Sequence, residues 1–269
     1  MDNRKNLRIM TYNLRNNSDV PPNSWAERKE LILELLERET PDIIGTQECM
    51  YEQVQDMNTM LTDYDTIGLG RDGGSKGEFM AIFFKKNRLK VLAYNHFWLS
   101  DTPDTIASCT WGNDVTRMVT WIRFQDIETG QQFYHLNTHL DHISVNARVK
   151  GAELILKKVS TFNPDLPIII TGDFNTESGS EPHQVFLEKG TFIDTWDVAT
   201  DRINKDLGTF NDFKDPTGGE ERIDWILVRG NMQIGVIKII NDQVNGLFPS
   251  DHFPVMVDLH FTKNNGLQL

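Results

Sequence analysis

Carboxylates, carboxamides and imidazoles stand where the apolar runs of this sequence stop. Asn13 closes RIMTYN, Glu48 follows DIIGTQ and Glu78 opens FMAIFF. His139 closes FYHLNTH, Asp173 and Asn175 close PIIITGDFN, Asp224 lies inside RIDWILV, and Asp251 with His252 precedes FPVMVDL. The end of a strand beside a loop is where a rigid scaffold can aim a side chain at a shared point. Several oxygen donors with few histidines and no cysteine among them suit a hard cation such as Mg²⁺ or Mn²⁺. A divalent ion among carboxylates and imidazoles polarises a phosphoryl group, activates water and neutralises charge on a leaving oxygen. Phosphoester hydrolysis is the reaction these residues fit.

The elements that must position them are mostly strands. Short β-type runs recur at 8–14, 42–47, 80–86, 117–124, 132–140, 167–174, 222–228 and 255–261, too evenly for a helical protein. Between them, WAERKELILELLER (25–38) carries an apolar stripe of Leu31, Ile32, Leu35 and Leu36, and Ser24 with Glu27 has the pattern of a capping box. A second amphipathic segment, 145–162, places Val145, Val149, Ala152, Leu156 and Val159 on one face, and a short helix is predicted from Pro182 to Glu188, ahead of Gly190. No linker or composition break divides the chain, so residues 1–269 read as a single domain. The fold class predicted is an α/β or α+β sandwich in which sheets bury one face on each other or on helices.

The ordered set TYN (11–13), TQE (46–48), GE (77–78), NTH (137–139), GDFN (172–175), RID (222–224) and SDH (250–252) resembles the endonuclease/exonuclease/phosphatase superfamily. That group includes DNase I, abasic-site endonucleases, deadenylases, sphingomyelinases and inositol polyphosphate 5-phosphatases. The resemblance runs from about residue 7 to residue 261 and implies a four-layered, DNase I-like sandwich of two mixed sheets flanked by helices.

The resemblance also implies roles. Glu48 would be the principal metal ligand, with Asn13 beside it and Asp251 near the metal. Asp173 would activate water and Asn175 hold the scissile phosphate, both projecting from one side of an extended segment. His252 would donate to the phosphate or the leaving oxygen, its tautomer fixed and its pKa raised by Asp224. Glu78 would pair with His139 in the same manner. SDH is not a Ser-His-Asp triad, because chain neighbours cannot reach one another in that geometry. The other histidines, His96, His135, His142, His183 and His260, match no motif and read as structural or surface. Trp111 and Arg117, in the polar segment CTWGNDVTRMVTW, and Phe210, in GTFNDF, are candidates for contacting substrate.

Substrate class is narrowed by charge. Lys plus Arg number 27 against 39 Asp plus Glu, a net of −12, which repels long polyanions unless a bound metal or local basic loops offset it. The reading is a Mg²⁺- or Mn²⁺-dependent hydrolase acting on a small or short phosphoester. A DNA or RNA nuclease of the same superfamily is the alternative, and a catalytically inactive binding module the remote one. Cys49 and Cys109 form no CxxC pair, the start MDNRKNLRIM lacks an apolar leader core, and no apolar run approaches the roughly 18 residues that span a bilayer. A cytoplasmic setting is expected, with secretion after removal of a leader as the other possibility.

Overall fold

The computed structural model describes residues 6–262. The strands are β1 (Leu7–Asn13), β2 (Ile43–Gln47), β3 (Tyr64–Ile67), β4 (Ile82–Lys85), β5 (Leu89–Trp98), β6 (Met118–Asp126), β7 (Gln132–His139), β8 (Ile168–Asp173), β9 (Ile193–Asp194), β10 (Asp201–Ile203), β11 (Asp224–Arg229), β12 (Met232–Ile239) and β13 (Val255–Phe261). They form two mixed sheets, ordered β10-β12-β13-β1-β2-β4-β3 and β5-β6-β7-β8-β11-β9. The helices are α1 (Trp25–Glu39), α2 (Tyr51–Met60), α3 (Val145–Val159), α4 (Glu181–Gln184), which runs on into a π-helical turn at Val185–Lys189, and α5 (Thr195–Val198).

Alternation along the central strands builds four layers. Ile9, Ile43, Ile169 and Ile226 meet between the sheets. Their neighbours Met10 and Ile44 turn outward onto Ile32, Leu35 and Leu36 of α1 and Met57 of α2. Ile168, Ile170, Trp225 and Leu227 turn outward onto Ala152, Ile155 and Val159 of α3. A strand covered on both faces favours apolar residues at successive positions, which is why these runs are mostly apolar in the sequence.

The helices depart from their sequence patterns in detail. Ser24 is the extended N-cap of α1, but its side chain makes no capping hydrogen bond, so the Ser24/Glu27 capping box does not form. In α3 the inward face is Ala147, Gly151, Ala152, Ile155 and Val159, and Val145 is exposed. Small residues win that face because the helix lies close: a methyl at Gly151 would touch Leu140 and Leu99 at 3.3 and 3.4 Å. The Pro182 helix forms, with Pro182 in its first turn and Gly190 at its end.

Between the sheets, close to one end, the core becomes polar. Asn137 of β7 donates through Nδ2 to the carbonyls of Thr46 (2.8 Å) and Ala81 (3.0 Å) in the opposite sheet. Its Oδ1 accepts from Gln47 Nε2 (2.7 Å) and from Thr171 Oγ1 (3.2 Å). Gly45 makes room for this seam, since a methyl there would lie 2.2 Å from Thr171 Oγ1 and 2.6 Å from Asn137 Oδ1. A second buried polar cluster anchors the start of β11. Asp194 Oδ2 accepts from Arg222 Nη2 (2.7 Å) and from His183 Nε2 (3.0 Å), while its Oδ1 takes the Trp196 N–H. His183 Nδ1 already accepts from Gly179 N–H, which leaves Nε2 to carry the proton toward Asp194.

Two predictions follow from these clusters. Gly45→Ala and Asn137→Leu should each lower unfolding free energy by about 2–4 kcal/mol in urea titrations, one by clash and the other by orphaning the Thr46 carbonyl. For Asp194, burial alone would raise the carboxyl pKa, but His183 and Arg222 outweigh it and hold it below the ordinary range. A depressed folded pKa gives stability that is present above the unfolded value of about 3.9 and lost as pH falls through the folded one. Asp194→Asn should therefore lower stability at neutral pH and flatten the acid limb of a stability-against-pH series below about pH 4.

Candidate active site

Parallel pairing brings the polar strand ends to one place. Asn13 at the end of β1 lies opposite Gln47 at the end of β2, and His139 at the end of β7 lies opposite Asp173 at the end of β8. Asp224, which opens the antiparallel β11, is also opposite Asp173. Glu48 follows β2 with a left-handed φ of 63°, a backbone state rare for residues with a side chain.

Asn13 is the hub. Its buried Nδ2 lies 2.9 Å from Asp173 Oδ2, 3.0 Å from Glu48 Oε1 and 3.4 Å from His252 Nε2, and its Oδ1 accepts from Arg15 N–H. One amide thus spans carboxylates from both sheets. Asp173 and Asn175 both reach this cluster, though not from an extended segment. Asn175 has φ 51° and donates its N–H to Asp173 Oδ1 at 2.9 Å, so the two side chains are joined by an Asx turn.

The two histidines are set up differently. His252 Nδ1 lies 2.9 Å from Asp224 Oδ2, as expected. Burial by itself disfavours the imidazolium, but Asp224 and Asp173 outweigh it and raise His252 well above its usual pKa. Nδ1–H is directed at Asp224 and Nε2–H faces Asp173, 3.7 Å away. His139 has the opposite character. Burial, followed by the charge of Arg117, lowers it well below the usual range. Asn175 Nδ2, which can only donate, lies 2.8 Å from His139 Nε2, so the ring proton belongs on Nδ1. Burial raises Asp173 to about 7, against the pull of the His252 cation.

The expected pairing of Glu78 with His139 does not occur. Glu78 Oε2 instead accepts from Arg71 Nη1 at 2.6 Å, while His139 Nε2 faces Asn175 and, at 3.3 Å, Asp173 Oδ2. Trp111 does not line the cleft. Its ring is buried in the layer beneath α3, and its Nε1 donates to Asp101, in the loop after β5, at 2.8 Å. Arg117 does line the cleft but lies almost wholly buried, with Nη2 3.0 Å from His142 Nδ1 and Nε 3.7 Å from Asp141. Phe210 is 42% exposed at the cleft wall, its ring edge-on to His252 at 5.1 Å.

Glu48, His139, Asp173, Asn175, Asp251 and His252 line a cleft of about 600 Å³. One donor atom each from Glu48, Asp173 and His252 lies within 4.8 Å of the others. Asn13 presents a donor nitrogen to this group, and Asp251 lies beside it with Arg15 Nε at 3.7 Å. The two carboxylates match what Mg²⁺ or Mn²⁺ takes from a protein while keeping positions for water and substrate, so the donor set fits such an ion.

Four residues that motif reading did not single out matter here. Arg15, Arg71 and His142 line the cleft, and Arg28 organises it from behind. Arg28 is 1% exposed. Its Nε donates to Asn23 O, Nη1 to Leu14 O and Pro249 O, and Nη2 to Arg15 O and Asn16 O. One guanidinium therefore ties the loop after β1 to the loop that carries Asp251 and His252. It sits on the α1 face that also buries Ile32, a position that amphipathic patterning assigns to an apolar residue. Lysine has three donors in place of five, so Arg28→Lys should cost about 2–4 kcal/mol in denaturant titrations and lower activity through these loops.

Among the described residues no helix is long and apolar enough to cross a membrane. A sequence profile described as the Endonuclease/Exonuclease/phosphatase family matches residues 10–252. A mannosyl-6-phosphatase of Bacteroides thetaiotaomicron VPI-5482 superposes with a TM-score of 0.90 at 36% identity, covering 95% of this chain and 100% of that one. The catalytic domain of human nocturnin, solved with a bound sulfate, shares the fold at a TM-score of 0.72 and 21% identity, covering 97% of each chain. An uncharacterized protein of Acanthamoeba polyphaga mimivirus is 34% identical over 165 residues, 57% of this chain and 60% of its own length. The chain thus spans about three fifths of that viral relative. The fold, the ordered motifs and the profile match agree: the chain belongs to the endonuclease/exonuclease/phosphatase family.

Proposed function

We propose that this protein is a divalent-metal-dependent phosphomonoesterase that releases phosphate from a small phosphorylated sugar, in a single domain. The observation that carries the reading is the convergence of Glu48, Asp173 and His252 on the floor of one cleft, with Asp224 behind the histidine. Likeness to the mannosyl-6-phosphatase over nearly the whole chain supports the sugar phosphate. The net charge of −12 argues against a long nucleic acid.

Glu48, with Asp173 and Asp251 close by, would hold Mg²⁺ or Mn²⁺. Such an ion, when bound, neutralises charge on the phosphoryl oxygens. Asp173, placed between Asn13 and His252, accepts the proton of the attacking water. Asn13 and Asn175 would hold the phosphate by redirecting one amide N–H each, Asn13 from a carboxylate and Asn175 from the Leu140 carbonyl. His252 donates its Nε2 proton to the leaving oxygen, while Asp224 holds Nδ1–H and stabilises the imidazolium before transfer. His139, neutral and held by Asn175, keeps that amide oriented.

The test is phosphate release from hexose 6-phosphates, phenyl phosphates, single-stranded RNA and plasmid DNA, with Mg²⁺, Mn²⁺ or EDTA. Sugar phosphate turnover that EDTA abolishes is expected, with Asp173→Asn and His252→Asn each lowering kcat by about 10²–10⁴ and leaving a folded protein by circular dichroism. Cleavage of RNA or DNA in preference to the monoesters would favour the nuclease alternative. Full activity in both variants would remove the assigned roles.

A further inference from the structure

Glu78 has no part in the hydrogen bonding of His139, yet it is held on the wall of the catalytic cleft with considerable local structure. It and Arg71 face each other across the base of the 68–78 loop. Arg71 N–H donates to Glu78 O at 2.9 Å, and Asp72 N–H donates to Lys76 O at 3.1 Å. Gly77, at φ 73°, closes the turn where a methyl would lie 2.4 Å from Asp72 Oδ2. The loop is pinned from outside as well. Trp98 Nε1 donates to Arg71 O, and Thr116 Oγ1 donates to Asp72 Oδ1. Arg71 and Glu78 are therefore presented rigidly, their side chains only 16% and 12% exposed.

Their ion pair uses one nitrogen and one oxygen, Arg71 Nη1 and Glu78 Oε2. Arg71 Nε and Nη2 and Glu78 Oε1 make no hydrogen bond to the described residues, and both side chains line the cleft. A fixed donor beside a fixed acceptor matches neighbouring hydroxyl groups, each of which accepts one hydrogen bond and donates another. The same pair suits a second anionic group poorly, because Glu78 cancels the charge of Arg71 and would repel it. A partly buried ion pair also gives up solvation, and a polyol that completes its hydrogen bonds restores it.

We propose that the Arg71–Glu78 pair is a specificity subsite that reads vicinal hydroxyls on the leaving group of the phosphoester. This rests on the phosphomonoesterase reading and deepens it: the metal end of the cleft takes the phosphate, and this wall selects a polyhydroxylated leaving group over a plain aryl or alkyl one.

The experiment compares wild type, Arg71→Met and Glu78→Gln, with Mg²⁺ or Mn²⁺ supplied, on a hexose 6-phosphate, its deoxy analogues and p-nitrophenyl phosphate, with melting curves as a fold check. The ratio of kcat/KM for the hexose phosphate to that for the aryl phosphate should fall about 10- to 100-fold in each variant, carried mainly by KM. At least one deoxy analogue should show a similar loss with wild type and little further loss with the variants. A ratio that stays within twofold, or a kcat that falls equally on both substrates, overturns the hydroxyl-reading subsite and leaves the phosphomonoesterase reading standing. Absence of phosphate release from every monoester with wild type overturns that reading and this one with it.

Discussion

The geometry of the site depends on a hydrogen-bonded seam that replaces apolar packing between the two sheets around Gly45. Asn137 reaches across to two carbonyls of the other sheet, Gln47 reaches back, and Gly45 leaves the space. Apolar side chains at this point would hold the sheets together without fixing their offset, because dispersion contacts are non-directional. Directional bonds fix the slide of one sheet on the other, and so the 2.9 Å contact between Asn13 of one sheet and Asp173 of the other. The ends of β1, β2, β7 and β8 can then deliver one cluster of side chains from four separate parts of the chain.

The electrostatics of the cluster follow from what each buried group is given as a partner. His252 has carboxylates around it and is held cationic, while His139, a comparable distance from Asp173, has an amide donor and a nearby Arg117 and is held neutral. Two imidazoles near one carboxylate thereby take different protonation states. The acid excess of the sequence is partly explained by the same arrangement, since Glu48, Asp173, Asp224 and Asp251 are gathered around His252, Arg15 and a place for a cation.

The strands that carry the site were legible because each is buried on both faces for most of its length and reads as a run rich in apolar residues. β5, with exposed Tyr94 and Asn95, and β12, interrupted by Gly235 and a register shift, lie nearer the sheet edges and lack that signal. α2 was not visible either, since only Gln53, Val54 and Met57 of its ten residues are buried. In the site, residues standing at strand ends were found by position. Arg28, Arg71 and His142 were not, because what they do depends on loop folding that no local pattern records. The Glu78–His139 expectation came from motif order alone, and Arg71, seven residues before Glu78, takes that carboxylate instead.

Among the described residues, the hydrogen bonds of the Arg28 guanidinium all go to carbonyl oxygens, while the rings of Trp25 and Phe213 lie against it. Every residue has a carbonyl, so the identities of residues 14–16, 23 and 249 are irrelevant to this anchorage so long as the backbone keeps its path. The anchorage by Arg28 thus places no demand on the side chains of this loop, which are left to other tasks: Leu14 packs in the core, and Arg15 and Asn16 reach Glu48. The path of the loop is fixed through its backbone, while its side chains meet the site.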